Sequence, residues 1–320
     1  MTETLIISNK VNHLIDPQLS IWGWEVPVYL FLGGLAAGAL VVSSLVILFG
    51  KEEQYKNATG RLIFWGLLFL SVGMGALFLD LEYKVHVWRF YTAFELKSPM
   101  SWGSWILMIF YPVSFLLMIA TSKTSFSQLR ARLGVFDGEG VFAKATQWCE
   151  LKKNTLAKVG VVTGASLGGY TGVLLSANSA RPFWNSSILG VLFLVSGLST
   201  LIAFHLLFVR NHEEHRVFAR IDMGLIVFEL ALLGFWVLGF LNGSEISQRA
   251  GHAIMGGNYT ELFWIFVVGL GLLTPLVMEW LEERGRKIPV VLTSLLILCG
   301  GLALRILMVY AGQETGWITY

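Results

Sequence analysis

Hydrophobic and polar positions along this chain fall in long blocks rather than in short alternating periods. Eight apolar stretches run over 26–50, 62–79, 102–120, 159–177, 186–209, 223–241, 262–278 and 288–312. Each is close to the roughly 20 residues that a helix needs to cross a bilayer core. A buried helix in a soluble core accounts for one or two such stretches, but not for eight. The pattern predicts an all-α polytopic membrane protein: eight transmembrane helices in a bundle, forming a single integral membrane domain over 1–320. The longest connection, about 121–158, is charged and reads as a linker with a short amphipathic helix.

Composition agrees, with 55% hydrophobic residues, 14% charged and a mean hydropathy of +0.66. Charge adds an orientation. The connections after helices 1, 3, 5 and 7 hold 3, 7, 3 and 3 Lys or Arg residues, sixteen in all. The opposite connections and both termini hold six, and Arg305 lies inside helix 8. Basic residues gather on the cytoplasmic side of a membrane protein, so the odd connections are cytoplasmic and both termini are outward, or periplasmic. The net charge of +2 is this topological bias and implies no nucleic-acid partner. The opening MTETLIISNK is too polar for a secretory signal, so helix 1 serves as an uncleaved insertion signal. Cys149 and Cys299 are far apart and face different media, which predicts no disulfide, and no zinc or iron–sulfur spacing is present.

The unusual residues gather on the outward side. Trp22, Gly23, Trp24 and Glu25 precede helix 1, with Tyr29 just inside it. Asp80, Glu82, His86, Trp88, Arg89 and Tyr91 follow helix 2. Helix 4 carries Tyr170 and leads into Asn178, Arg181, Trp184 and Asn185. An aromatic belt at the headgroups explains the tryptophans. It does not explain carboxylates, a histidine, asparagines and an arginine at the same depth, which suit a site for an amphipathic ligand with a polar head. Tyr170 lies eight residues before Asn178, about 12 Å inside the outer boundary, and Arg305 lies about 10 Å inside. Both are therefore expected to reach one cavity in the outer half of the membrane. A structural reading stands beside each: a packed tyrosine, and an arginine strut on backbone carbonyls.

Glu229 is the one carboxylate well inside an apolar stretch, with Asp222 near the cytoplasmic end of the same helix. Such groups often belong to a proton or ion path, the alternative being a protonated, hydrogen-bonded Glu. Gly34 and Gly38, and Gly160, Gly164, Gly168 and Gly172, form small-xxx-small ridges for helix packing. Of His13, His86, His205, His212, His215 and His252, only His205 lies within an apolar stretch, so a bis-histidine haem inside the chain is not expected. His212, Glu213, Glu214 and His215 read as a solvated turn, not a metal site.

Four segments resemble the NrfD/PsrC family, the membrane subunits of polysulfide reductase and related respiratory complexes. They are WGWEVPVYLFLGGLAAG at 22–38, HVWRFYTAFELKSPMSWGSW at 86–105, YTGVLLSANSARPFWN at 170–185 and LRILMVYAGQ at 304–313. They keep family order and spacing across nearly the whole chain, and the third is the most specific. The resemblance implies a quinone- or quinol-binding anchor (menaquinone or ubiquinone) in the bacterial inner membrane, with no haem and no iron–sulfur cluster of its own. It implies a periplasmic ferredoxin-like partner with four iron–sulfur clusters, and a catalytic partner with molybdopterin or several haems. Residue by residue, it makes Tyr170 the hydrogen-bond donor to a quinone carbonyl. Tyr29 stands where some members place a quinone-contacting histidine, leaving Glu25 or His86 as second partner. Asn178, Arg181 and Trp184 match the loop that closes the site, and Gln313 is carried over as a lining residue. Glu25, Asp80 and His86 are placed to carry protons outward, and Glu229 to feed them from the cytoplasm.

Two other classes compete. A secondary transporter binds its substrate near the midplane on broken helices; helices 3 and 7 contain Pro112 and Pro275, but the polar residues gather at one face. The other is a purely structural anchor for a redox complex.

Overall fold

The computed structural model describes residues 22–125, 141–178 and 180–315. The opening segment with His13 and the centre of the long connection lie outside them. The described secondary structure is entirely helical. Eight helices are long and apolar enough to cross a membrane: α1 (Glu25–Leu48), α2 (Gly60–Asp80), α3 (Pro99–Ala120), α4 (Lys153–Ser176), α5 (Ile188–Leu206), α6 (His212–Leu241), α7 (Leu262–Glu283) and α8 (Val290–Glu314). The protein is a multi-pass membrane protein. Its lipid-facing surface is a band of exposed apolar side chains, among them Phe64, Val72, Phe115, Phe235, Ile265 and Phe266, which water would not tolerate as a continuous patch. With eight passes, the N-terminus of α1 and the C-terminus of α8 share one end of the bundle, the terminal end. The opposite end, the loop end, carries the connections after α1, α3, α5 and α7. A helix at Val141–Leu151 occupies part of the long connection, where a short amphipathic helix was expected.

α1 is the axis of the bundle. Its apolar window is 83% buried, against 28% for α6, and it packs on α2, α4, α5 and α8. Lipid tails are as apolar as leucine, so helices associate through close packing and small residues rather than through apolar burial. The sequence GGLAAGA at 33–39 supplies those residues on several faces. A Cβ on Gly38 would come 2.9 Å from the Gly197 carbonyl of α5. One on Gly164 of α4 would come 2.9 Å from the Ala37 carbonyl, and one on Gly66 of α2 2.8 Å from the Ala39 methyl. Both glycine ridges are therefore helix contacts.

α7 departs from regular geometry. It runs as a π-helix over Leu262–Leu273 and becomes α-helical at Thr274–Glu283. Pro275 has no backbone N–H and its ring conflicts with the preceding turn, so the ladder is broken here. Thr274 compensates by donating its hydroxyl to the Gly269 carbonyl at 2.9 Å. The helix continues past the apolar stretch that ended at 278 and carries Glu279 into the protein, only 3% exposed.

Candidate functional site

At the terminal end, α1 to α4 enclose a mainly apolar cavity of about 170 Å³. Met74, Leu77 and Phe78 of α2, Leu107 of α3 and Leu174 and Leu175 of α4 form much of its wall. Its polar groups are few: Tyr29, Asp80, Tyr91, Ser104 and Tyr170. Ser104 spends its hydroxyl on the Ser101 carbonyl at 3.0 Å. Tyr29 and Tyr170 are buried, and neither phenol hydroxyl has a hydrogen-bond partner among the described residues. Burial, then the neighbouring Tyr111 phenol, pushes the Tyr91 hydroxyl above its ordinary range, so it stays a proton donor.

Tyr170 sits where it does because Gly103 makes room. A Cβ on Gly103 would stand inside the Tyr170 phenol. Gly73 of α2 is not needed in this way for Tyr29: a Cβ there would stand 3.5 Å from a ring carbon, an ordinary van der Waals contact.

The upper wall is Trp22. It stacks on Trp184 with centroids 5.3 Å apart. Its N–H donates to Gln313 Oε1 at 2.8 Å, and its carbonyl accepts from Gln313 Nε2 at 3.0 Å. Trp184 donates its indole N–H to the Met308 carbonyl at 2.6 Å and lies where a side chain on Gly312 would be. Arg181 donates to the carbonyls of Gln313 at 2.6 Å and Thr315 at 3.1 Å. Arg181, Trp184 and Gln313 thus act on the cavity through Trp22 rather than by lining it.

The remaining candidates divide. Asp80 lines the cavity, and Glu25 is close enough for its charge to act on Asp80. His86 is exposed and lines a neighbouring depression that shares Leu81 and Phe90 with the cavity. Asn178 is exposed, its side-chain amide turned back to the Leu174 carbonyl. Arg305 does not share the cavity of Tyr170, contrary to the depth argument. It turns away towards α5, donating to Ser196 Oγ at 2.5 Å, the Gly301 carbonyl at 3.1 Å and the Phe193 carbonyl at 3.3 Å.

Arg305 instead heads a second row of buried polar groups. Ser196 lies between it and Glu229, which is 3% exposed. Asp222, fully buried, lies beside Ser199 and within the field of Glu229. Glu279 of α7 faces Asp222, and neither carboxylate oxygen of Glu279 has a hydrogen-bond partner among the described residues. Glu279 lines a cavity at the loop end. Glu279 escaped the sequence reading because the apolar stretch stopped one residue short of it. Its spacing from Leu272 and Pro275, seven and four residues earlier on one buried face, was the available signal. The turn at 212–215 is also not wholly solvated: Glu214 is buried and meets His205 Nε2 at 3.1 Å.

A family model described as "Polysulphide reductase, NrfD" matches residues 12–316. The protein belongs to the NrfD family. It is 31% identical to a polysulfide reductase chain of Wolinella succinogenes, over 92% of its own length and 94% of that relative's. It is 30% identical to the NrfD protein of Escherichia coli, over 92% and 96%. To a selenate reductase subunit of Mesobacillus selenatarsenatis it is 22% identical, over 91% and 73%. In this NrfD-family protein the four segments that carry the resemblance meet in space. The first two and the third supply cavity walls, and the third and fourth hold Trp22 in place.

Proposed function

We propose that this protein is the quinone- or quinol-binding membrane subunit of a respiratory oxidoreductase complex in the bacterial inner membrane. The observation that carries the reading is the apolar cavity at the terminal end, with two buried, unpaired phenols on its wall. A quinone head is flat and apolar with a carbonyl at each end, so it needs this combination of apolar wall and a few donors. The Lys and Arg distribution favours the periplasmic side for the cavity, next to an iron–sulfur partner. Relatives named as parts of a polysulfide reductase and a selenate reductase fit a protein that works beside catalytic and iron–sulfur subunits.

Quinol carries two electrons and two protons, and both must leave as it becomes quinone. The electrons pass to the nearest cluster of the partner. Tyr170 donates to one quinone oxygen and Tyr29 lies close enough to orient the head. Asp80, at the cavity wall, takes up a proton and hands it outward by way of Glu25 and His86. On the loop-end side, Glu279, Asp222 and Glu229 form a row along which protons enter from the cytoplasm.

Purifying the complex gently from its native membrane, with mass spectrometry of its proteins and of extractable quinone, tests this reading. Bound quinone with an iron–sulfur partner is the expected result. A protein that comes out alone and quinone-free from intact membranes overturns it in favour of a transporter; partners without quinone leave the structural anchor.

A further inference from the structure

A second pair of cavities meets at the loop end, between α6 and α7; Glu279, at the start of the proposed proton row, lines one of them. The first is a basin walled by the start of α6 and the α7–α8 connection. The second is a groove on the membrane-facing side, lined by Met223, Gly224 and Val227 of α6 and Leu276, Val277 and Trp280 of α7. Met223 lines both, so the two are contiguous. Gly224 keeps the groove open: a Cβ there would meet nothing within 4 Å.

The two cavities differ in chemistry. The groove is built from apolar side chains, with Val277 and Trp280 exposed. In the basin, Arg220 is paired with Glu283 at 2.7 Å, and the His215 ring lies 3.6 Å from Glu282. Among the described residues Arg216, Arg286 and Lys287 have no carboxylate partner, and Arg216 approaches the His212 ring at 3.4 Å; four Arg and Lys side chains thus line the basin with the carboxyls of Glu279, Glu282 and Glu283. At the rim, the Arg284 guanidinium lies 3.6 Å above the Trp280 ring, closing the polar–apolar boundary with a cation on an indole. A polar basin with surplus cations, continued by an apolar furrow into the membrane, has the two-part form of a phospholipid.

We propose that this is a binding site for an anionic phospholipid. Its phosphate sits among Arg216, Arg286 and Lys287, and an acyl tail lies in the groove over Gly224. A zwitterionic lipid gains less here, because its own ammonium meets the same three cations.

The test uses the full-length protein purified in mild detergent, relipidated with phosphatidylglycerol or with phosphatidylcholine, with thermal unfolding and bound-lipid mass spectrometry as readouts. Phosphatidylglycerol is expected to remain bound and to raise the unfolding temperature by several degrees more than phosphatidylcholine. Exchanging Arg216, Arg286 and Lys287 together for Gln removes that difference. Gly224→Leu fills the furrow while leaving every charge in place, and is expected to remove it too. Equal stabilisation by the two lipids overturns the proposal, as does retention of phosphatidylglycerol by the triple variant. Protection by inorganic phosphate that matches the lipid and survives Gly224→Leu marks an anion site without lipid, and overturns it as well.

Discussion

Trp22 and Gln313, 291 positions apart, bind each other by two reciprocal hydrogen bonds. The side-chain amide of α8 satisfies both the N–H and the carbonyl of the residue that roofs the cavity. Arg181 then holds the backbone of Gln313, and Trp184 stacks on Trp22. The two ends of the described structure are thus joined over the site. Gln313→Leu removes both hydrogen bonds to the half-buried Trp22 backbone, each worth about 0.5–1.5 kcal/mol. The expected outcome is a lower unfolding temperature and a raised KM for quinol. An unchanged KM would mean that Trp22 does not shape the bound head.

Tyr170→Phe removes one hydroxyl and keeps the ring that packs on Gly103. A net hydrogen bond is worth about 0.5–1.5 kcal/mol, so quinol turnover is expected to fall by about twofold to tenfold with assembly intact. Turnover equal to wild type at all quinol concentrations would remove Tyr170 from the site.

Gly103→Ala tests the same phenol from the other side. The new methyl enters the space of the Tyr170 ring, so ring or helix must move. Activity is expected to fall at least as far as in Tyr170→Phe. Gly75→Ala, where a Cβ meets nothing within 4 Å, is the matched control and is expected to be silent. Equal behaviour of the two alanine variants in quinol turnover would show that the contact does not position Tyr170.

Much of this architecture was legible in the sequence, because membrane helices announce themselves by apolar length alone. The eight stretches correspond to α1–α8, and the glycine ridges mark real helix contacts. What sequence could not supply is azimuth. Tyr170 and Arg305 lie at similar depth, yet Tyr170 turns to Gly103 on α3 while Arg305 turns to Ser196 on α5. Depth follows from counting residues; direction follows from which helices become neighbours, and that depends on packing across the whole bundle. Polar helix ends hide for a related reason. Glu279 and Glu214 look solvated in a hydropathy window but are covered by neighbouring helices. The roof over the cavity was also out of reach, since nothing local couples Trp22 to Gln313.

Cys149 offers a pH readout of the loop end. Burial, then the charge of Glu150, pushes its thiol above the ordinary range. The reactive form is the thiolate, so at neutral pH alkylation is expected to be slower than for a free cysteine. The rate should keep rising with pH beyond the point where a free thiol, with a pKa of about 8.5, has levelled off. Maleimide labelling across pH, with Cys299 replaced by Ser, measures this. A rate that levels off with the free thiol would mean that the helix at 141–151 does not pack on α3 with Cys149 buried.

The row of carboxyls makes a prediction about energy conservation. Glu229 lies beside Asp222 and the Ser196–Arg305 pair, so on the proposed path a proton from Glu279 passes it. Glu229→Gln keeps the shape and hydrogen-bonding capacity but abolishes proton exchange. In proteoliposomes of the complex, the membrane potential generated per quinol turned over is expected to fall. Quinol oxidation at the terminal end should stay active, because Glu229 lines no part of that cavity. Glu279→Gln should give the same loss, since it holds the position nearest the loop-end basin. If both variants keep wild-type potential and rate, the row is a packing element and the site at the terminal end works without it.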